Sequence, residues 1–232
     1  YIRHVKRFLN FCIKRKMVQP FDITVPKVDT PLKDPYTKEE MQLLLRLPQS
    51  KNWVEWRNWA LVNYFYGTGQ RLSTVINIKF KDVDFQNNRV KLVWNKDKIQ
   101  KYMPLSSSVM RVLHQYIMIS GGFDENEYLF PQYEGGQLAR RSCEDAIKDY
   151  NKSRGVDKSS IHLFRHTFAK DYIMAGGNPV KLQKLMNHKT IEMTMNYVNL
   201  YSADLADDLD LFNPLDNFNR NSDIKYKRKK VL

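Results

Sequence analysis

The sequence is poor in cysteine and lacks the long apolar runs that cross membranes. It has 232 residues and only two cysteines, Cys12 and Cys143, which stand far apart and match no metal-ligand spacing. We therefore expect no disulfide, no metal and no cofactor, in a reducing cytoplasmic setting. No apolar run approaches the roughly 20 residues that a membrane span needs, and we find no secretory signal and no internal repeat. These absences favour a globular protein that does not enter a membrane.

Positive charge is what the sequence has in excess. Lys and Arg number 38 against 25 Asp and Glu, which gives a formal net charge of +13, and 42% of the residues are hydrophobic. The chain can therefore bury a large core, while its charge exceeds what solubility requires. A polyanion, most often nucleic acid, is the first expected partner, although many basic proteins bind nothing acidic.

Composition divides the chain into an isolated helix, a linker, a domain and a tail. The linker holds four prolines, which forbid a continuous helix. Thr37 and Glu40 then form a capping box that opens the domain, and the tail is polar, Asn-rich and basic at its end. Because Tyr1 lies inside the first helix and no initiator Met precedes it, we expect the natural N-terminus to lie upstream. The four parts span residues 1–18, 19–36, 37–212 and 213–232.

Hydrophobic periodicity predicts a mainly α protein with a small antiparallel β-sheet, that is, an α+β fold. The sheet is expected from two short strands at residues 85–94, with a turn at Asn87 and Asn88, and at residues 101–105. Glycine tolerates the left-handed conformation at helix ends, so Gly67 and Gly69 are expected to end the first long helix. The predicted helices span residues 53–66, 107–119, 140–153, 161–175, 179–185 and 190–201.

Four basic side chains are candidates for an anion site. Arg71 follows directly on the glycine turn, and its planar guanidinium suits two oxygens of one phosphate. His162 and Arg165 are three residues apart and therefore share a helical face that can point at a common anion. His166 lies beside them, and spacing alone leaves open which of the two histidines is functional. Each of these residues taken singly is more often solvated or structural.

Tyr197 is the most informative residue of the last predicted helix. If this helix starts near Thr190, then Ile191, Met195 and Val198 form its buried stripe, and Tyr197 lies about 100° away from that stripe. We therefore expect the tyrosine hydroxyl to reach the edge of a cleft. The alternative is that Tyr197 is an amphipathic packing residue, as most tyrosines are.

In four stretches the chain resembles the tyrosine recombinase, or phage integrase, family. The family's first arginine motif is similar to GTGQRLSTVINIKFKDVDF, its His-x-x-Arg motif to HLFRHTFA, its histidine-to-tyrosine motif to LMNHKTIEMTMNYVNL, and its β-hairpin to WNKDKIQKYMPL. The resemblance covers the chain from about Thr37 to Tyr201. It implies the tyrosine recombinase catalytic-domain fold, and it implies that residues 1–18 are the last helix of a truncated core-binding domain.

The resemblance implies a role for each cationic group. Arg71 and Arg165 clamp the scissile phosphate, and Lys96 protonates the leaving 5′ oxygen, with Lys98 as the runner-up for that role. One departure concerns the first arginine motif, because Thr74 stands where the family usually has an acidic residue. Some other group is then needed to orient Arg71.

The remaining implied roles concern the attack itself. His162 acts on the nucleophile's proton or on the phosphate, His188 donates a hydrogen bond to a phosphate oxygen, and Tyr197 attacks. Tyr197 is preferred to Tyr201 because it stands nine residues after His188, as in the family. A second departure is Asn187, which replaces the usual glycine before the histidine.

Taken together, these roles imply a site-specific DNA recombinase of the integrase or transposase type, which works through a 3′-phosphotyrosine intermediate. Its expected partners are double-stranded DNA and further copies of itself, in a tetrameric synapse with exchange of C-terminal tails. The alternatives are type IB topoisomerase-like activity and a catalytically silent DNA-binding relative. A covalent protein–DNA adduct distinguishes an enzyme from a binding module, and a need for two matching sites distinguishes a recombinase from a topoisomerase.

Overall fold

The computed structural model of the protein describes residues 2–22, 24, 34–93 and 100–201. These residues cluster into two compact units that divide between Asp34 and Pro35. The first unit contains one helix, α1 (Ile2–Lys14), whose apolar residues Ile2, Val5 and Phe8 are exposed to solvent. Within the described ranges, no helix is both long and apolar enough to cross a membrane.

The second unit is mainly helical, which confirms the predicted fold class. The six helices predicted with bounds begin and end within two residues of those bounds, because the apolar periods and the turn residues between them are strong signals, whereas the short helix Leu72–Val75 was not predicted. The helices are α2 (Lys38–Leu45), α3 (Trp53–Thr68), α4 (Leu72–Val75), α5 (Ser107–Ile119), α6 (Arg140–Ser153), α7 (Ile161–Met174), α8 (Pro179–Met186) and α9 (Glu192–Tyr201).

Local hydrogen bonds set where α2 begins and where α3 ends. The predicted capping box is present, since Thr37 Oγ1 accepts from the Glu40 N–H at 3.2 Å and the Glu40 carboxylate accepts from the Thr37 N–H at 2.7 Å. At the C-terminal end of α3, Gly69 ends the helix with a left-handed φ of 61°. A Cβ at Gly69 would lie 2.4 Å from Phe168, so only glycine fits there without displacing that ring.

A three-stranded antiparallel sheet lies between α4 and α5, in the order β1 (Val83–Asp84), β2 (Arg89–Val93) and β3 (Gln100–Pro104). The predicted first strand is partly wrong, because Phe85 lies in the turn between β1 and β2. That turn ends at Asn88, whose φ of 48° is compatible with asparagine. Residues 94–99, which join β2 to β3, lie outside the described part of the chain.

The main core surrounds α3, which is apolar on every side and is therefore buried on every side. Leu61 and Tyr64 are fully buried there, and Phe164 from α7 packs against the same cluster. Tyr36 stacks on Phe164 with ring centroids 4.5 Å apart, and its N–H donates to Thr167 Oγ1. The sequence assigns Tyr36 to the linker, whereas its contacts anchor it in this core.

A smaller apolar cluster joins α7, α8 and α9. Here the predicted orientation of α9 is wrong: Met195 is 37% exposed, whereas Thr194 is fully buried and Tyr197 is only 6% exposed. The helix packs against α7 and α8 through a threonine and a tyrosine, residues that a search for aliphatic side chains passes over. The buried members of the cluster are Ala169, Ile173, Leu182, Met186 and Tyr197.

Candidate active site

The C-terminal end of α8 holds the two predicted phosphate-binding arginines. Arg165, in the middle of α7, is 3% exposed and donates from Nη1 to the Gly69 carbonyl at 2.6 Å and from Nη2 to the Met186 carbonyl at 2.8 Å. The last carbonyls of a helix have no partner within it and carry partial negative charge, so they attract cations. Burial and nearby Arg71 lower the pKa of Arg165 to about 10, which leaves it charged at neutral pH.

Arg71 reaches the same helix end, because its Nη1 donates to the Asn187 carbonyl at 3.1 Å. Asn187 has φ 48° and ψ 54°, a left-handed conformation that asparagine tolerates better than most residues. The two departures from the family pattern are therefore connected. A backbone carbonyl at Asn187 orients Arg71 where Thr74 offers no carboxylate, and Asn187 adopts a left-handed conformation that glycine, the usual residue at this place, adopts readily.

A cleft of about 490 Å³ opens in front of these arginines. Arg71, His162 and Arg165 form one part of its lining, while the opposite part comes from charged side chains of α6. Two guanidinium groups and one imidazole that face a single cleft can bind a phosphodiester through charge-assisted hydrogen bonds. The α6 residues in the lining are Arg140, Glu144, Asp145 and Lys148.

The two histidines of α7 face different neighbours. Their rings meet edge to face with centroids 4.7 Å apart, since His162 and His166 are separated by one helical turn. His162 lines the cleft, whereas Nδ1 of His166 lies 2.8 Å from the Tyr197 hydroxyl oxygen. Burial, together with His162 and Arg165, lowers the pKa of His166 to about 4, so its ring is neutral at pH 7.

Tyr197 lies between two imidazoles. Its ring is parallel to that of His188, at 4° and 6.3 Å between centroids, and His188 Nδ1 shares a 2.8 Å hydrogen bond with Thr194 Oγ1. Burial, followed by Arg165 and Arg71, lowers the pKa of His188 to about 4, so this ring is also neutral. Burial raises the pKa of Tyr197, and nearby Arg165 opposes that rise. Tyr197 is therefore a neutral phenol in this state.

The structure brings five of the six predicted site residues together, from the start of α4, from α7, from the segment that joins α8 to α9, and from α9 itself. The sixth, Lys96, and its alternative Lys98 lie outside the described residues. The competing nucleophile Tyr201 lies one turn further along α9, with Lys170 Nζ 5.7 Å from its ring centroid. The residues brought together are Arg71, His162, Arg165, His188 and Tyr197.

Sequence reasoning missed the partners of these residues. Thr194 could have been found, because it precedes Tyr197 by three residues and so shares its helical face. The contact between His166 and Tyr197 had no such signal, since it depends on how α7 packs against α9. Among the described residues, no three His, Cys, Asp or Glu side chains gather in a way that could hold a metal ion.

Comparison with known proteins shows similarity to tyrosine recombinases and integrases. The chain is 30% identical over 206 residues to the tyrosine recombinase XerC of Roseiflexus castenholzii, a match that covers 84% of this chain and 65% of that protein. It is 28% identical, over 84% of this chain and 69% of the relative, to a probable integrase/recombinase of Acholeplasma phage L2. The chain thus spans about two thirds of the length of these relatives.

Solved structures share the fold. The XerA recombinase superposes with a TM-score of 0.64 at 22% identity, covering 92% of this chain and 83% of its own. The Tn1549 transposon integrase, in complex with transposon right-end DNA, gives a TM-score of 0.68 at 22% identity, covering 94% and 77%. The family model described as the phage integrase family matches residues 36–203, most of the second unit. The chain belongs to the phage integrase family.

Proposed function

We propose that this protein is a site-specific DNA recombinase of the integrase or transposase type, which cleaves and rejoins DNA strands through a 3′-phosphotyrosine intermediate. One observation carries the proposal: Arg71, His162 and Arg165 line one cleft, and the hydroxyl of Tyr197 on α9 contacts His166, which lies one helical turn from His162 on α7. A phosphodiester bound by the arginines would lie next to a phenol. The net charge of +13 favours a duplex DNA partner.

Electrostatics make this chemistry feasible at neutral pH. With an ordinary pKa of about 10, only about one tyrosine in a thousand is ionised at pH 7, a deficit of roughly 4 kcal/mol before any attack. Arg71 and Arg165 are held by backbone carbonyls, so they are oriented before the substrate arrives. They neutralise the charge that builds on the non-bridging phosphate oxygens, in the manner of an oxyanion hole.

A tyrosine suits strand exchange better than water does. Attack by Tyr197 forms a phosphotyrosine ester and releases a 5′ hydroxyl, so one phosphoester bond replaces another. A 5′ hydroxyl from a second strand can then attack the intermediate and restore the tyrosine. The cycle therefore needs no external energy source such as ATP, and it runs in both directions.

Lys96 remains our proposed general acid for the leaving 5′ oxygen. A 5′-bridging sulfur leaves without protonation, so Lys96→Ala should cleave a substrate with this sulfur far better than ordinary DNA. Lys98→Ala is the matched control, two residues further along the sequence. If sulfur rescues Lys98→Ala and fails to rescue Lys96→Ala, the role belongs to Lys98.

The function is tested with a library of nicked duplexes of randomised sequence. Complexes that survive denaturation are collected, and the DNA at their junctions is sequenced. We expect adducts enriched in one sequence and attached through the 3′ phosphate, and we expect rejoining to require two copies of that sequence. Binding without any adduct would identify a silent DNA-binding relative, and relaxation of supercoiled DNA from a single site would identify topoisomerase-like activity.

We also propose that residues 1–18 belong to a core-binding domain and that residues 37–212 form the catalytic domain, joined by the linker 19–36, whose last residue, Tyr36, packs in the catalytic core. The exposed apolar residues Ile2, Val5 and Phe8 of α1 support this assignment, since helices of folded domains bury such positions. Because its substrate is DNA inside the cell, we place the enzyme in the cytoplasm. A core-binding domain fused before residue 1 should bury the apolar residues of α1 and tighten DNA binding.

We propose that the active form is a tetrameric synapse whose C-terminal tails pass between copies. A groove of about 430 Å³ between β3 and α8, which we call the lysine groove, has an apolar base that includes Leu92, Met103 and Leu185. Its rim carries three lysines. They are Lys101, Lys181 and Lys184.

The occupant proposed for the lysine groove is the segment 202–218 of a neighbouring copy. This segment lies outside the described residues, and its sequence combines five aspartates and no basic residue with leucines and phenylalanines, which matches both the base and the rim. Replacing Lys181 and Lys184 with Glu should weaken oligomers, and replacing Asp207 and Asp208 with Lys in the same chain should restore them. If the Asp207 and Asp208 changes restore the Lys181 and Lys184 variant to the same extent at every protein concentration, the segment docks on its own chain.

A further inference from the structure

The two α7 histidines are not equivalent. His162 is exposed and lines the cleft beside the two arginines, while His166 is half-buried one turn further along and faces α9. The shortest polar contact of the Tyr197 hydroxyl is the 2.8 Å separation from His166 Nδ1. The family resemblance leaves His162 to act either on the nucleophile's proton or on the phosphate, yet His166 is the imidazole within hydrogen-bond distance of that proton.

Three observations make His166 a competent acceptor. Its ring is neutral at pH 7, so one of its nitrogens has a free lone pair. Tyr197 is 6% exposed, so water has little access to compete for its proton. The phenol ring is held from the other side by the parallel ring of His188, which limits the directions in which the hydroxyl can point.

We propose that His166 is a catalytic residue, the group that receives the Tyr197 proton through Nδ1 during strand cleavage, while His162 faces the phosphate. This inference rests on the proposed recombinase function. As the bond between the Tyr197 oxygen and phosphorus forms and the bond from phosphorus to the 5′ oxygen breaks, the phenol proton moves to His166. The 5′ oxygen takes its proton from the separate general acid. During rejoining the departing phenolate recovers its proton from His166.

DNA binding strengthens His166 as a base. In the DNA-free protein, Arg165 and His162 disfavour a second proton on the His166 ring. A phosphodiester between the arginines introduces a negative charge that offsets theirs, which favours the imidazolium. The acceptor would therefore become effective when the substrate is in place, and it would remain weak in the free enzyme.

A phenol of lower pKa provides a direct test, because it needs less help in losing its proton. His166→Asn keeps a hydrogen-bond acceptor near the Nδ1 position but removes the base. In single-turnover assays with the nicked duplex enriched from the randomised library, His166→Asn should slow cleavage on the order of 100-fold and leave DNA affinity unchanged. Replacing Tyr197 with difluorotyrosine should restore most of this loss. His162→Asn should show no such rescue, and His114→Asn, the same change on α5 far from the cleft, should cleave as the unsubstituted protein does.

A measurement without DNA separates this inference from the proposed function. A fluorotyrosine at position 197 gives one fluorine NMR signal, which should move more with His166→Asn than with His162→Asn. Rescue of His162→Asn in place of His166→Asn, or normal cleavage by His166→Asn, would overturn the inference and leave the recombinase function intact. If the unsubstituted protein forms no adduct, the proposed function and the proton transfer fail together, although the fluorine signal can still verify the contact.

Discussion

The arginine side and the tyrosine side of the cleft are built differently. Arg165 comes from a helix that also packs into the large core, and both of its terminal nitrogens donate to backbone carbonyls. Tyr197 belongs to the smaller cluster, on a helix in which the only buried side chains are Thr194 and Tyr197 itself. Its hydroxyl has a side-chain partner, His166, in place of a backbone one.

This contrast suits the proposed cleavage and rejoining of DNA strands. Groups that stabilise a transition state gain from being fixed in advance, because no reorganisation is needed when charge develops. A nucleophile that becomes covalently attached to DNA and is later released has to change partners during each cycle. A thinly packed helix and a replaceable side-chain hydrogen bond allow that change at small cost.

Removing the fixed cation should have the largest effect. Arg165→Ala removes a buried guanidinium aimed at the phosphate, so single-turnover cleavage should fall by about 10³-fold. Arg57→Ala is a matched control, because Arg57 is also buried, at 5% exposed, and donates to the Pro131 carbonyl away from the cleft. Arg57→Ala should lower the melting temperature and leave the cleavage rate per folded molecule near that of the unsubstituted protein. Equal losses of cleavage rate in Arg165→Ala and Arg57→Ala would show that the position of Arg165 in the cleft has no special importance for cleavage.

Disturbing the carbonyl that holds Arg165 should have the next largest effect. Gly69→Ala forces a left-handed alanine, which costs about 1–2 kcal/mol, and also pushes the new Cβ against Phe168. We expect lower stability together with slower cleavage, because the Gly69 carbonyl must shift. Gly155→Ala is the control: its φ is 78° but no atom lies within 4 Å of the added Cβ. Chemical denaturation should show a smaller loss in the free energy of unfolding for Gly155→Ala. A loss as large as that of Gly69→Ala would show that the contact with Phe168 does not cause the instability.

On the tyrosine side, the expected effect is smaller. Thr194→Val keeps the shape of a fully buried side chain but removes the hydroxyl that holds His188 Nδ1. Leaving that nitrogen without its partner should cost about 1 kcal/mol, which corresponds to a roughly fivefold to tenfold slower cleavage. Thr194→Ser restores the hydroxyl and should recover the rate. If Val and Ser behave alike, the hydroxyl has no role in orienting His188.

The histidines also predict how stability depends on pH. In the unfolded chain they bind protons near pH 6.5, whereas in the folded protein the pKa of His166 and that of His188 are lowered to about 4. Their contribution to the free energy of unfolding is therefore complete above pH 6.5. It is lost as the pH falls from 6.5 towards 4, because the unfolded state takes up protons first. The drop in melting temperature between pH 7 and pH 5 should be smaller in His166→Asn. An unchanged drop would show that this ring is not buried as a neutral group.

The sequence predicted the arginine side well and the tyrosine side poorly, for physical reasons. Arg71 follows directly on a glycine turn, and Arg165 stands three residues after His162, on the same helical face. Both are local features that the spacing of residues in the sequence reveals. The position of Tyr197 depends on which face of α9 packs against α7, and a threonine decides that face. Periodicity based on aliphatic residues therefore placed Met195 inside and Tyr197 at the edge, the reverse of what the structure contains.

The orienting group of Arg71 could not be predicted either. The missing acidic residue at Thr74 and the unusual Asn187 are visible in the sequence as two separate departures. Their connection requires the end of α8 to lie against the start of α4, a tertiary contact that no local pattern encodes. The strand bounds near Phe85 were missed because apolar character continues through the turn.

The most direct test of the central claim is to identify the residue that becomes attached to DNA. A nicked duplex that loses its 5′ strand on cleavage traps the adduct, and mass spectrometry of the digested complex locates the nucleotide. The unsubstituted protein and Tyr201→Phe should both carry it on residue 197, and Tyr197→Phe should bind the duplex and form no adduct. An adduct that persists in Tyr197→Phe, or a nucleotide found on Tyr201, would contradict the claim.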